Sequence, residues 1–240
     1  MKERPILFTG EMVRAILDGR KTQTRRMVKP QPRIVHGVHP DASITTNRIF
    51  RHGDQRIHSP FGTVGDRLWV RETFRIYNSA SECACYDECK CARMNGKPLY
   101  RASDPSPDDD KWTPSIHMPR WASRITLEIT SVRVERLQEM EGMDAASSDA
   151  LKEGVRRIHH EGGNYYYSAF RNHPDPSNWT DPFLAFKELW QSIYSIRPKL
   201  PSNPESKRYQ RIKRWLDKHP PQGWDANPFV WVYEFRRIKP

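Results

Sequence analysis

Long apolar runs are missing from this 240-residue sequence, and their absence limits the kinds of protein it can encode. No stretch approaches the roughly 18 consecutive apolar residues that a membrane-spanning helix requires, so we expect no membrane span. Residues 1–7 begin with charged side chains and contain no apolar core of signal-peptide length, which favours a cytoplasmic protein. Apolar residues make up 36% of the chain, and a chain of this length can still bury a core.

Several motifs of common enzyme classes are also missing. The sequence contains no Walker loop, no dinucleotide-binding glycine pattern, no internal repeat and no histidine pair at HxxxH spacing. These absences argue against nucleotide-dependent enzymes and histidine-based metal sites. Strand and helix patterns are mixed without regular βαβ alternation, which predicts an α+β fold rather than a doubly wound sheet.

Cysteine is scarce, and all four cysteines fall within nine residues as Cys83, Cys85, Cys89 and Cys91. In an intracellular protein such a cluster favours metal over disulfides, and zinc takes four thiolates in a tetrahedron. We therefore predict a structural zinc loop at residues 83–91, which would fold a segment with few apolar residues of its own. The spacing is not the common CxxC pair, so free thiols or a redox pair are the alternatives.

Acidic residues are outnumbered, with 29 Asp and Glu against 40 Lys and Arg and a net charge of +11. This balance favours a polyanionic partner, nucleic acid before an anionic membrane surface. The imbalance is strongest in residues 207–215, where cations alternate with aromatics. As a helix, this segment places Lys207, Arg211 and Arg214 on one flank, with Arg208 close to Arg211. Phosphate contacts by this helix are one interpretation, and a solvated helix face is the alternative.

Residues 19–26 crowd cations and hydroxyls together directly after a glycine. The preceding residues 10–19 are predicted to be a short helix, because their apolar residues recur at i, i+3, i+4 spacing and the glycine suits its end. If a strand follows, Thr24 and Arg26 point to one face and Arg25 to the other. Such a turn suits phosphate or carbonyl binding, and a solvated basic turn is the alternative.

Further along the chain, apolar alternation predicts strands at residues 67–74, 123–134 and 229–238. A serine pair followed by Asp149 marks the start of one helix, and a stripe of large apolar residues after Asp181 marks another. Residues 33–62 show no sustained period, which predicts an excursion loop with room for a small hairpin.

The pattern Gly19-x-Lys21-x-x-Thr24-x-Arg26 resembles the GxKxxTxR signature of the ASCH domain, a PUA-like β-barrel fold. Residues 64–72 are similar to the Gly-Asp strand entry of that family, and residues 150–154 are similar to its AxxEG helix turn. With the HMPRW run at residues 117–121, the chain is similar to the larger ASCH proteins of phages and prophages. A phage-encoded chain would work in the cytoplasm of its bacterial host.

The resemblance implies one domain over residues 1–240, an α+β fold built on a PUA-like mixed β-barrel with flanking helices. Several long insertions are expected, at about residues 33–62, 77–120, 157–180 and 197–228. It also implies that Lys21, Thr24, Arg26, Glu72 and Glu153 surround one concavity. The ligand-binding residues predicted in all are Gly19, Arg26, Glu72, Arg71, Arg208, Arg211 and Arg214. For Glu72 a structural ion pair is the alternative.

Two functions from different classes follow. The first is a module that binds nucleic acid, with RNA expected, or a modified nucleoside, through a basic cleft around the signature. The second is an amidohydrolase, since small bacterial ASCH enzymes that deacetylate N4-acetylcytidine use Lys, Thr and Glu residues, which correspond by motif to Lys21, Thr24 and Glu153. The lysine can activate the threonine hydroxyl only if its pKa is lowered, and the glutamate would orient the lysine or assist the leaving group. Ribonuclease activity is the least favoured alternative because no histidine pair supports it. The sequence does not determine the oligomeric state.

Overall fold

The computed structural model describes residues 1–32, 50–52, 55–78, 94–104, 111–140, 148–159, 163, 165–169, 180–194, 201–218 and 223–238. The cysteine cluster at residues 83–91 lies outside these ranges, so the zinc loop stays a prediction.

Four α-helices are present in the described ranges: α1 (Gly10–Leu17), α2 (Asp149–Lys152), α3 (Pro182–Tyr194) and α4 (Lys207–Lys218). The strands are β1 (Glu3–Leu7), β2 (Gln23–Met27), β3 (Phe50–His52), β4 (Gln55–Ile57), β5 (Arg67–Arg71), β6 (Phe74–Ile76), β7 (Pro98–Tyr100), β8 (Thr126–Arg136), β9 (Arg156–His159), β10 (Tyr165–Ser168) and β11 (Phe229–Ile238).

Five strands form one mixed sheet in the order β1-β5-β8-β11-β2. Strand β1 pairs parallel with β5, with Pro5 opposite Trp69, whereas β8 pairs antiparallel with β5. The pairs β3–β4, β6–β7 and β9–β10 form separate two-stranded ribbons, and the first is the small hairpin expected in residues 33–62. The predicted α+β class is therefore confirmed. The strand order of the described residues does not by itself show a closed barrel, so the PUA-like barrel stays a prediction.

The chain divides into two compact units, each discontinuous in sequence. Unit 1 comprises Met1–Thr22, Ser59–Ser131 and Glu234–Pro240, and unit 2 comprises Gln23–His58 and Val132–Tyr233. The buried side chains of unit 1 include Ile6, Val13, Ile16, Leu68, Val70, Leu127 and Ile129. Those of unit 2 include Leu137, Val155, Tyr167, Phe186, Trp190, Val230 and Val232. The GxKxxTxR signature is split by this division, because Lys21 belongs to unit 1 and Thr24 to unit 2.

The end of helix α1 determines the backbone conformation of the first residues of the signature. The Thr9 hydroxyl accepts from the Met12 amide and caps the helix at its start. At the other end Gly19 takes a left-handed conformation, with φ of +74°, that side chains rarely adopt. The Arg20 and Lys21 amides then both donate to the Ala15 carbonyl, at 2.9 and 3.0 Å, which closes the helix end and fixes the backbone of Lys21.

The strand predicted at residues 67–74 is wrong in its length, since β5 ends at Arg71 and β6 begins at Phe74. Beyond Arg71 the chain pairs with a different strand. Strand β5 pairs in the large sheet, whereas β6 pairs with β7, in the register Phe74 opposite Tyr100. The alternating pattern continues across the break, which is why the sequence alone suggested one strand.

Candidate functional site

Lys21 of the signature is a buried lysine. Its exposure is only 2%, and its Nζ lies 5.7 Å from the centroid of the Phe8 ring. Phe8 is itself buried and stands 6.3 Å from the Phe235 ring. Lysine is rarely buried to this degree, and an aromatic face is a favourable neighbour for its charge. The signature lysine is therefore not part of a solvated basic turn.

Glu72 of unit 1 is also buried, and it forms a two-pronged ion pair with Arg124. Arg124 donates from Nε to Oε1 and from Nη2 to Oε2, both at 2.9 Å. The Arg124 guanidinium also stacks on Tyr100, with Cζ 4.0 Å from the ring centroid. Burial raises the pKa of the Tyr100 hydroxyl, which donates to the Ala122 carbonyl at 2.9 Å. The structural alternative for Glu72, a buried acid with a cationic partner, is what the structure shows.

Arg71, a predicted ligand-binding residue, contacts its own chain. Its Nε donates to the Met118 carbonyl at 3.0 Å, and its guanidinium lies 5.0 Å from the centroid of the Trp69 ring. The side chain is half-buried, so part of it remains open to solvent. These contacts fix its direction.

A dense charged group among the described residues of unit 2 centres on Arg25, which no sequence argument singled out as a site residue. Its side chain is fully buried. Nη2 donates to Asp149 Oδ2 at 2.6 Å, and Nη1 donates to Glu153 Oε1 at 3.1 Å. Glu135 Oε1 accepts from both Nε and Nη2, at 3.1 and 2.5 Å. Three carboxylates thus surround one guanidinium, and the predicted catalytic residue Glu153 is one of them.

Two further cations, Arg133 and Lys152, contact the carboxylates of this cluster. Arg133 donates to Glu135 Oε2 at 2.8 Å and to Asp149 Oδ2 at 3.2 Å, and Lys152 Nζ lies 3.3 Å from Asp149 Oδ1. Burial alone would lower the pKa of Arg25, but the facing carboxylates outweigh it and the pKa is raised. Arg25 therefore stays charged, and its role is to hold three acids in fixed positions.

Helix α2 and the turn after it supply two of those acids. The Ser148 hydroxyl accepts from the Ala150 amide at 3.2 Å, so the predicted helix start is confirmed. Glu153 ends the helix, and Gly154 follows with φ of +98°. Because they are four residues apart, Asp149 and Glu153 lie on the same side of the helix and both contact Arg25. The AxxEG pattern thus marks a real helix end.

The other face of β2 carries Thr24 and Arg26. Thr24 is buried, whereas Arg26 is half-buried and hydrogen-bonds the Tyr194 hydroxyl. Burial raises the pKa of Tyr194, and the charge and hydrogen bond of Arg26 oppose that shift. The Tyr194 ring lies 4.2 Å from that of Trp190, so an arginine and two aromatics meet at the end of α3.

Helix α4 carries a cluster of exposed cations in unit 2. The Ser206 hydroxyl accepts from the Tyr209 amide at 3.1 Å and caps the helix. The partly buried residues Tyr209, Ile212 and Leu216 recur at i, i+3, i+7 and form its inner face. The cations Lys207, Arg208, Arg211, Lys213 and Arg214 are all exposed. None of these five pairs with a carboxylate in the part of the chain that the structure describes.

The predicted site residues are thus distributed over both units. Lys21 and Glu72 are buried in unit 1, while Thr24, Arg26 and Glu153 belong to unit 2. Their convergence on one concavity stays a prediction.

Sequence reasoning also missed Arg25, Glu135 and Asp149 as partners of Glu153, and Arg124 as the partner of Glu72. Strand alternation predicted that Arg25 and Arg26 point to opposite faces of β2. Only the folded structure shows which acids contact Arg25.

Among the described residues, no group of three or more His, Cys, Asp or Glu side chains is placed to hold a metal ion. The helices described here are all too short or too polar to cross a membrane. Comparison with models of protein families, with curated proteins and with solved structures finds no significant match to the chain.

Proposed function

We propose that this chain is a nucleic-acid-binding protein of the ASCH type, with RNA as the expected polymer and α4 as its principal phosphate-binding surface. The observation that carries the proposal is the exposed cationic face of that helix. Lys207, Arg211 and Arg214 recur at i, i+4, i+7, so they share one face, and Arg208 borders it. A row of unpaired cations on a rigid element suits successive phosphates of a strand.

The burial of the signature residues supports this assignment of the phosphate surface. Lys21 and Thr24 are too buried to meet the backbone of a long polymer at the protein surface. The charges of Arg25 and Arg124 already face carboxylates of their own units. The burial of Lys21 and Thr24 thus argues against polymer binding at the signature itself, and we assign the polymer backbone to α4.

A salt titration of oligonucleotide binding tests the proposal. Each neutralised phosphate of a single strand contributes about 0.7 to the slope of log affinity against log salt. Replacing Arg208, Arg211 and Arg214 with alanine should therefore weaken binding to all sequences and flatten the slope by about 2.

The matched control removes three arginines whose side chains are 37–70% exposed and paired with carboxylates: Arg14 with Glu11, Arg20 with Asp18 and Arg236 with Glu128. This variant has the same net charge as the α4 variant, so it should keep the wild-type slope if α4 is the phosphate surface. An equal flattening in both variants would show that net charge, not α4, governs binding.

The burial of Lys21 and Thr24 also favours a second candidate, the amidohydrolase. A lysine beside an aromatic ring and a buried hydroxyl are residue types that such a reaction uses. The test is release of cytidine from N4-acetylcytidine. Thr24→Val removes the hydroxyl at constant shape and should abolish turnover, as should Lys21→Ala, whereas Thr24→Ser should retain part of it. Absence of turnover by the wild type would refute this candidate and leave the binding proposal intact.

A further inference from the structure

Trp121 of unit 1 is an exposed tryptophan that no function above has used. Its exposure is 66%, on a 3₁₀ turn at Arg120–Ala122. The preceding 3₁₀ turn, Ser115–His117, presents Ile116 at 56% exposure. Tryptophan is usually largely buried, and its large apolar surface in water is unfavourable. A position that exposes it this far is typical of a contact surface.

The backbone around Trp121 is held firmly. The next residue, Ala122, is fully buried and packs with Met118 and Phe74. On the other side of the turn Ser123 Oγ donates to the Val70 carbonyl at 2.8 Å, which ties the turn to β5. The indole is therefore exposed on an anchored turn, so ordering this turn on binding would cost little conformational entropy.

The charge around the turn favours an anionic partner. Arg124 is neutralised by Glu72 and adds no charge to this surface. Arg120 and Arg71 both lie over the Trp69 ring, at 5.9 and 5.0 Å from its centroid. Arg71 has no carboxylate partner among the described residues. The Arg120 side chain is 44% exposed, although its Nε also donates to Glu3 at 3.0 Å. An apolar protein partner would gain nothing from this basic setting, whereas a nucleic acid offers flat aromatic bases and negative phosphates together.

We propose that Trp121 is a base-stacking residue that makes the protein prefer single-stranded nucleic acid. This inference rests on the proposed nucleic-acid-binding function and adds the form of the polymer. An indole face needs an unstacked base, which a single strand supplies and a duplex does not. Stacking is tolerant of sequence, so no base preference is expected from Trp121 alone.

Fluorescence anisotropy with three labelled probes of about 12 nucleotides tests the inference, a length within the usual site size. The probes are a single strand, an abasic strand with the same phosphates and a duplex. Trp121→Ala should weaken binding of the normal strand by about tenfold and leave the abasic strand and the salt slope unchanged. Trp121→Phe keeps an aromatic face and should retain most of the affinity. The control is Ile193→Ala on α3, an exposed apolar residue elsewhere, which should behave as wild type.

Several outcomes would overturn the inference. Wild-type affinity of Trp121→Ala for the normal strand would show that no base stacks there, and so would an equal loss for the abasic strand. If Trp121→Ala lost binding to anionic lipid vesicles while its oligonucleotide binding stayed unchanged, the indole would be assigned to a membrane surface instead. If wild type binds with a salt slope that only the α4 variant flattens, the proposed function survives the failure of the stacking inference. If wild type binds no oligonucleotide, both fail.

Discussion

The buried guanidinium of Arg25 gives the sharpest test of the structure. Arg25→Met keeps the length and apolar stem of the side chain but removes the charge that faces Glu135, Asp149 and Glu153. Removing one partner of a buried ion pair costs about 3–5 kcal/mol, because the remaining charge is left in a poor solvent. We expect a loss at the upper part of that range, since three carboxylates share the one guanidinium. Arg133 and Lys152 contact some of them and limit the damage.

Urea denaturation followed by circular dichroism measures the effect. The control is Arg20→Met, which breaks the exposed 2.9 Å pair with Asp18 and should cost at most about 1 kcal/mol. The double variant Arg25→Met with Glu153→Gln should be less destabilised than the sum of the single variants, because the two side chains interact. A loss below about 1 kcal/mol for Arg25→Met, or strict additivity with Glu153→Gln, would refute the cluster as described.

Three further predictions concern separate parts of the chain. Gly62→Ala should destabilise the protein by about 1–3 kcal/mol in thermal unfolding, because φ is +111° and a Cβ would lie 2.7 Å from Asp66 Oδ2. The hydrogen bond from Arg120 holds the pKa of Glu3 below its ordinary value, so Arg120→Gln should raise that pKa in an NMR titration. Elemental analysis of protein purified without added metal should find about one zinc per chain, and free reaction of all four thiols at residues 83–91 would contradict it.

Local patterns predicted the secondary structure around the signature well. The apolar spacing of residues 10–19 identified α1, and the serine and aspartate before residue 150 identified the start of α2. The long strands β8 and β11 followed from alternation. These signals are local because a helix stripe, a cap or a pleated face is determined by neighbours within a few residues.

The ion-pair partners could not be predicted in the same way. Arg25 and Glu135 are separated by 110 residues, and Arg25 and Glu153 by 128, so no local period relates them. Strand alternation correctly separated Arg25 from Arg26, but a basic residue within a basic motif looks like a solvated one. In the fold, three acids from β8, from α2 and from the residue after α2 contact Arg25, and these contacts distinguish it from its neighbours.

The placement of these charges changes what the net charge of +11 means for binding. The cations in and near the motif, which first suggested a phosphate cleft, include Arg25, whose charge compensates buried acids of its own unit. A cation that neutralises an internal carboxylate cannot release counterions when nucleic acid binds, because it has no excess charge to offer a phosphate. The charge available to a polyanion must then come from side chains without internal partners. The cations of α4 meet that requirement in the described part of the chain, so affinity should respond to substitutions there, and stability to substitutions at Arg25.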